Sequence, residues 1–187
     1  MSKPVPYRRL RFVAIHGLIS LALLAGLSLG CSRQVEFLIP PQKTAAAQFA
    51  YAQQVEMRYR SLLKRDRHEI LSREAIAAYM KVIEVFPDDT VLVNRSWLNI
   101  AMIYEKEMKL KKALALYERL LKDVPDDAAI QTSALLGAGK IYDYWGKYEK
   151  AMAMYDQIIN HYGDSKDPMI QGIVIDAQRR FQQVRTK

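Results

Sequence analysis

The sequence predicts an all-α fold: an antiparallel helical-hairpin solenoid of about three repeats, closed by a C-terminal capping helix. Three observations carry this. The first is the stretch Trp97–Pro125, WLNIAMIYEKEMKLKKALALYERLLKDVP. Trp97, Ile100, Ala101 and Tyr104 fall on one helical face. Ala113, Tyr117 and Leu120 form a second face after the polar break KEMKLKK, and Pro125 ends that helix. The hairpin so formed has two apolar faces and covers only one by folding on itself, so it needs neighbours. The second observation supplies them. Ala75, Ala113 and Ala151 are spaced by 38 residues, and the same step links Tyr79, Tyr117 and Tyr155, Tyr104 and Tyr142, and Pro87 and Pro125. Stacked hairpins need this pattern, with small residues where helix axes approach and aromatics filling the gaps beside them. The third is punctuation: FPDDT and VPDDAA separate successive copies. Three columns in phase favour a repeat array over a single amphipathic bundle.

At these residues the chain resembles the tetratricopeptide repeat family. The pattern W-x2-L-G-x2-Y, then A-x3-F, then P reads here Trp97, Ile100, Ala101, Tyr104, then Ala113, Tyr117, then Pro125. It recurs as Leu135, Ala138, Gly139, Tyr142, then Ala151, Tyr155, with Gly163 in the place of proline. The run WGKYEKA, Trp145 to Ala151, is similar to the family's internal turn. An earlier, degenerate copy reads Tyr59, Leu62, Leu63, Asp66, then Ala75, Tyr79 and Pro87. The 38-residue period exceeds the family's usual ~34, which implies about one extra helical turn per repeat. The expected repeats are residues 56–89, 94–127 and 132–165, with a capping helix at 167–185.

The amino terminus reads as a targeting segment. Lys3, Arg8, Arg9 and Arg11 precede the apolar run FVAIHGLISLALLAGLSL, which ends at Gly30-Cys31. Cys31 is the only cysteine of the 187 residues. The run resembles a bacterial lipobox, in which the cysteine is lipidated and becomes the new terminus, although Ser28 and Leu29 depart from its usual residues. An uncleaved membrane anchor also fits, since 18 apolar residues reach the lower limit for spanning. So does an ordinary cleaved signal that leaves Cys31 as an incidental thiol. The lipoprotein reading explains why the sole cysteine closes the run and has no disulfide partner. The Arg8-Arg9 pair is of the kind that opens twin-arginine signals, but the residues after it fit poorly. On this reading residues 1–30 are a signal peptide, 31–43 a lipidated tether and 44–187 the helical domain. Ser32, not being an acid, points to release to the outer membrane. Cleavage removes four cations and no acid, lowering the formal balance from +8 to +4 and weakening any case for nucleic-acid binding.

Within the tether, Val35 and Phe37 to Ile39 are apolar enough to pack on the first helix, lie on the membrane surface, or dock a partner. Thr44 is placed to cap a helix with Phe49, Ala52, Val55, Tyr59 and Leu62 on one side. A second helix is expected from about Glu69 to Phe86. The aspartates at 88, 89, 126 and 127 lack calcium-loop spacing and suit helix capping. The last helix carries Met169, Ile173, Val174, Ala177 and Phe181, with Ile173 and Ala177 lying 38 beyond Leu135 and Gly139. Its polar side, Arg179, Arg180, Gln182 and Gln183, suits an end cap.

No catalytic constellation is legible, and neither enzyme activity nor a cofactor is expected. His16, His68 and His161 lack metal-ligand spacing, and there is no phosphate-binding loop or nucleophile elbow. The candidate site is instead the inner surface lined by the first helices. Arg95, Asn99, Met102 and Lys106 share a face distinct from that of Trp97 and Tyr104. One period on stand Ser133, Gly137, Lys140 and Tyr144; one period back, Met57, Ser61, Lys64 and His68. Together they describe a moderately basic groove suited to a peptide or partner helix; an ordinary solvated face is the plain alternative. The resemblance is to small outer-membrane repeat lipoproteins of envelope assembly, which implies a periplasm-facing adaptor held to the membrane through Cys31. A subunit of a secretion, pilus or polysaccharide-export apparatus is the second reading. Binding of peptidoglycan or a small molecule in the groove is the third.

Overall fold

Seven helices and no strand make up the described residues, 37–61 and 68–187 of the computed structural model. They are α1 Ala45–Ser61, α2 His68–Val85, α3 Thr90–Lys106, α4 Leu110–Asp123, α5 Ala128–Tyr144, α6 Tyr148–Tyr162 and α7 Pro168–Arg185. The expected signal peptide with His16, Cys31, the expected tether up to Glu36, and Leu62, Leu63, Lys64 and Asp66 lie outside the described residues. Among the described residues no helix is long and apolar enough to cross a membrane.

Three hairpins, α1–α2, α3–α4 and α5–α6, stack in order, and α7 closes the array. Each helix packs on the next in sequence. The odd-numbered helices also touch one another, α1 on α3, α3 on α5 and α5 on α7, whereas α2, α4 and α6 do not meet among the described residues. The first helices of the hairpins therefore crowd together on the inner side and the second helices splay outward. The three alanines of the repeating column, Ala75, Ala113 and Ala151, are fully buried, as are Tyr79, Tyr117 and Tyr155 to within 1%. These columns form a core that runs on from hairpin to hairpin.

The 38-residue period has a direct structural cause. A 17-residue α3, a three-residue turn, a 14-residue α4 and a four-residue link make one repeat. At both ends the register departs from the sequence expectation. α7 begins 40 residues after α5, not 38. Its buried Ile170, Val174 and Ala177 accordingly answer to Ile130, Ala134 and Gly137, so the predicted pairing of Ile173 and Ala177 with Leu135 and Gly139 is two residues out. On that register Ile175, Gln178, Arg179 and Gln182 of α7 stand where α5 carries Leu135, Ala138, Gly139 and Tyr142. Among the described residues no second helix packs on that side of α7, and all four of these residues are exposed, with Ile175 at 66%. Arg180 is the exception to the predicted polar side: it is half-buried against Asp176.

At the other end α1 precedes α3 by 45 residues. Six residues, 62–67, separate α1 from α2, against three between α3 and α4, and α2 has 18 residues against 14 in α4. The slots of Trp97, Ile100, Ala101 and Tyr104 are thus filled by Ala52, Val55, Glu56 and Tyr59, all buried, and not by Tyr59, Leu62, Leu63 and Asp66. The first hairpin starts at Ala45 rather than at residue 56.

Capping follows the sequence closely. Asp89 accepts from the Leu92 N–H at 3.1 Å, Asp127 from Ile130 at 3.0 Å, and Asp167 from Met169 at 2.8 Å. Thr44 Oγ1 accepts from the Ala47 N–H at 3.2 Å. In the turns within hairpins, Met108 (φ 55°) and Gly146 (φ 69°) stand one period apart in the same left-handed conformation, each followed by an N–H that closes on the tyrosine carbonyl four residues back. Ahead of α1, Phe37 and Ile39 pack into the first core cluster, and the Gln42 N–H donates to Oε1 of the buried Gln48 at 2.9 Å. This part of the expected tether is a strap laid on the first hairpin.

Candidate functional site

The inner face is built from the odd-numbered helices, which carry the predicted groove residues other than Lys64 and His68. On α3, Arg95 and Lys106 are exposed, Asn99 is half-buried, and Met102 turns its side chain against the core. On α5, Tyr144 is 67% exposed, while Gly137 is buried beneath the Tyr117 ring. A Cβ at Gly137 would meet Tyr117 Cε2 at 2.4 Å, and one at Gly139 would meet Tyr155 Cε1 at 2.5 Å. The two glycines flanking Ala138 therefore admit a tyrosine ring on each side of α5. Gly137 belongs to packing, not to the open groove.

Four of the predicted residues fall into two hollows, which Arg95, Met102 and Lys106 do not line. Asn99 joins Met57, Gln53, Glu56, Arg60 and Tyr79 around a cavity of about 340 Å3 at the first hairpin. Lys140 and Tyr144 join Glu105, Asp143, Tyr148 and Arg180, among others, around a second of about 550 Å3. Of the positions placed one period before α3, Met57 is exposed on α1, but the 45-residue register sets it beside Met102 rather than Arg95. Ser61 is the last residue of α1, Lys64 lies outside the described residues, and His68 opens α2.

Carboxylates run between these hollows, each anchored by a tyrosine. Tyr79 donates to Glu56 at 2.6 Å from the neighbouring helix, and Arg60 Nε donates to the same carboxylate at 2.7 Å. Tyr117 donates to Glu105 at 2.7 Å, and Lys140 pairs with Glu105 across the gap between α3 and α5. Burial and these carboxylate partners push both hydroxyls well above the ordinary tyrosine range. One period after Glu105 stands Asp143, a methylene shorter. It pairs with Lys187 at 2.6 Å, and the fully buried Tyr155 hydroxyl, with the Arg180 guanidinium near it, makes no well-formed hydrogen bond among the described residues. Burial, ahead of the neighbouring charges, pushes Tyr155 up to about 12.

Lys106 and Arg95 have no ion pair among the described residues, whereas Arg60 and Lys140 do. Partial burial, then repulsion from Arg60, holds the Lys106 ammonium below the ordinary lysine range, with Glu56 and Glu105 opposing. Glu56, Arg60 and Glu105 escaped the sequence reading. The i, i+4 spacing of Glu56 and Arg60 was the available signal. Among the described residues no group of three or more His, Cys, Asp or Glu is placed to hold a metal ion.

A comparison with curated proteins finds no match. The central hairpins do match a known family: residues 95–127 and 133–165 each fit the model described as Tetratricopeptide repeat, the two copies in which the period, the turns and the alanine–tyrosine columns are complete.

Proposed function

We propose that this protein is a non-enzymatic scaffold, lipid-anchored through Cys31 and facing the periplasm, that holds an acidic segment of a partner protein on its inner face during envelope assembly. The repeat match supports the scaffold role. The observation that carries the choice of partner is the unbalanced charge. Glu56 and Glu105 are paired with Arg60 and Lys140, and Arg95 and Lys106 are exposed cations that form no ion pair among the described residues. An acidic partner would supply the missing charge and be steered toward it.

The test is a crosslinking pull-down with the double variant Arg95→Glu, Lys106→Glu. Capture should fall at least about tenfold while the helical spectrum and Tm stay unchanged, because neither side chain enters the packing columns. Lys140→Glu adds to the effect but also breaks the pair with Glu105, so it is kept for a separate arm. Lys81→Glu with Lys122→Glu on the outer helices is the control. Capture that survives the inner variants and fails with the outer pair would refute the reading.

A role in a secretion, pilus or polysaccharide-export apparatus is the same chemistry with a different partner, and the captured protein's identity decides between them. The second cavity, about 550 Å3 and lined by Tyr144 and Tyr148, lies within the size range of small-ligand sites and supports a second reading in which it takes a peptidoglycan fragment or small molecule.

A further inference from the structure

We infer that the strap end of the stack, Phe37 to Gln42 with the start of α1, rests on the phospholipid headgroup surface that carries the Cys31 anchor; this builds on the lipid-anchor reading. Three observations converge on that end. Leu38 is 97% exposed, the most exposed large apolar side chain among the described residues, while its neighbours Phe37 and Ile39 are drawn into the core. A side chain held outward on a docked strap cannot turn in to escape water, as it could on a loose tether.

The second observation is charge. From Phe37 to Val55 there is no acid, and Lys43 is the only charged residue. The first helices all begin along one edge of the stack. α3, α5 and α7 are capped there by Asp89, Asp127 and Asp167, and α1 alone by an uncharged residue, Thr44. The remaining exposed residues here, Pro40, Pro41, Ala46, Ala47 and Ala50, are small or apolar. An anionic headgroup layer would repel the aspartate-capped part of the edge and not this one.

The third is chain length. Only five residues, 32–36, separate Cys31 from Phe37, a link that spans no more than about 20 Å when fully extended. An acylated Cys31 would hold Leu38, seven residues on, within about 25 Å of the bilayer. A single leucine is a weak membrane anchor alone, but beside a tethered acyl group its contact becomes intramolecular.

The test uses the full chain, processed in a Gram-negative host and reconstituted in vesicles of phosphatidylethanolamine and phosphatidylglycerol. Leu38→Cys and, at the far end of the stack, Ile175→Cys each supply one free thiol for a fluorophore, Cys31 being consumed by acylation. Both sites are exposed, and circular dichroism confirms the fold of each. Brominated phospholipid should quench the label at 38 at least about threefold more than at 175. Acylated protein with equal quenching at both sites would overturn the inference and leave the anchor standing. Mass spectrometry showing Cys31 without lipid would overturn both.

Discussion

Tyr117 and Tyr155 occupy the same slot in successive repeats, and the same substitution should act on them with opposite sign. Tyr117 donates to Glu105 at 2.7 Å; losing a hydrogen bond to a charged group costs about 1.5–3 kcal/mol, so Tyr117→Phe should destabilise by that amount. Tyr155 is equally buried, but its hydroxyl reaches no carboxylate, and the Arg180 guanidinium near it stands outside hydrogen-bonding geometry. A buried hydroxyl without a partner carries a desolvation penalty of about 1–3 kcal/mol, so Tyr155→Phe should be neutral or stabilise by up to that amount. The difference arises at one position: Glu105 reaches its tyrosine, whereas Asp143, one period on and a methylene shorter, is held by Lys187. Asp143→Glu should restore the missing bond and raise stability by ~1 kcal/mol. Chemical denaturation of the three variants reads these values directly, and a gap of about 2–4 kcal/mol corresponds to roughly 4–16 °C in Tm for a domain of this size. Destabilisation by Tyr155→Phe equal to that by Tyr117→Phe would show that the hydroxyl is satisfied and the argument mistaken.

Other outcomes follow from the same frame. Ala113→Leu and Ala151→Leu should each cost about 1–3 kcal/mol by overpacking fully buried sites, while Lys109→Ala should be nearly neutral; overlapping thermal melts would contradict the column assignment. Met108→Gly should stabilise by up to ~1 kcal/mol, since its left-handed turn is occupied by glycine one period later and Met108 is exposed; a lower Tm would show that its side chain matters more than its backbone. Alkali should unfold the domain early. The Tyr59, Tyr79, Tyr117 and Tyr155 hydroxyls are raised above 10.0 in the fold, so their unfolded forms ionise first. Their contribution is complete below pH 10 and is lost as pH climbs through the folded values, which a pH series of urea midpoints measures.

The architecture was legible because its determinants are local and periodic. Alanine and tyrosine at a 38-residue step mark the helix crossings, and aspartates before α3 and α5 mark their starts. Those signals failed where the period changed. Between α1 and α2 the link lengthens and α2 gains a turn, so subtracting 38 from α3 selected Leu62, Leu63 and Asp66, although Ala52, Val55, Glu56 and Tyr59 fill the core. The alanine and tyrosine of the second helix kept the old spacing and hid the shift. Glu56 was the clue: a charged residue in a slot that holds Ala101 in α3 and Gly139 in α5 is tolerable only with a donor such as Tyr79 beside it.

The candidate site was less legible for a different reason. A residue's helical face follows from its position, but its effective charge follows from what the next helix places opposite it. Lys106 and Lys140 were equivalent in the sequence, both cations on first helices. In the fold Lys140 meets Glu105 across the gap and is neutralised, while Lys106, which feels Arg60 and Lys140 as well as Glu56 and Glu105, forms no ion pair among the described residues. Glu105 itself looked like surface charge within the run Glu105–Lys109, because nothing in one helix reveals that Tyr117 and Lys140 converge on it from two others. Charge that a groove retains for a partner is what remains after such pairings, and it depends on the register between repeats. A reversal at Lys106 should therefore weaken capture of an acidic partner more than a reversal at Lys140 does, since the first removes a charge still available and the second one already spent on Glu105. Equal losses from the two single variants, measured on the same bait, would mean that the pair opens on binding.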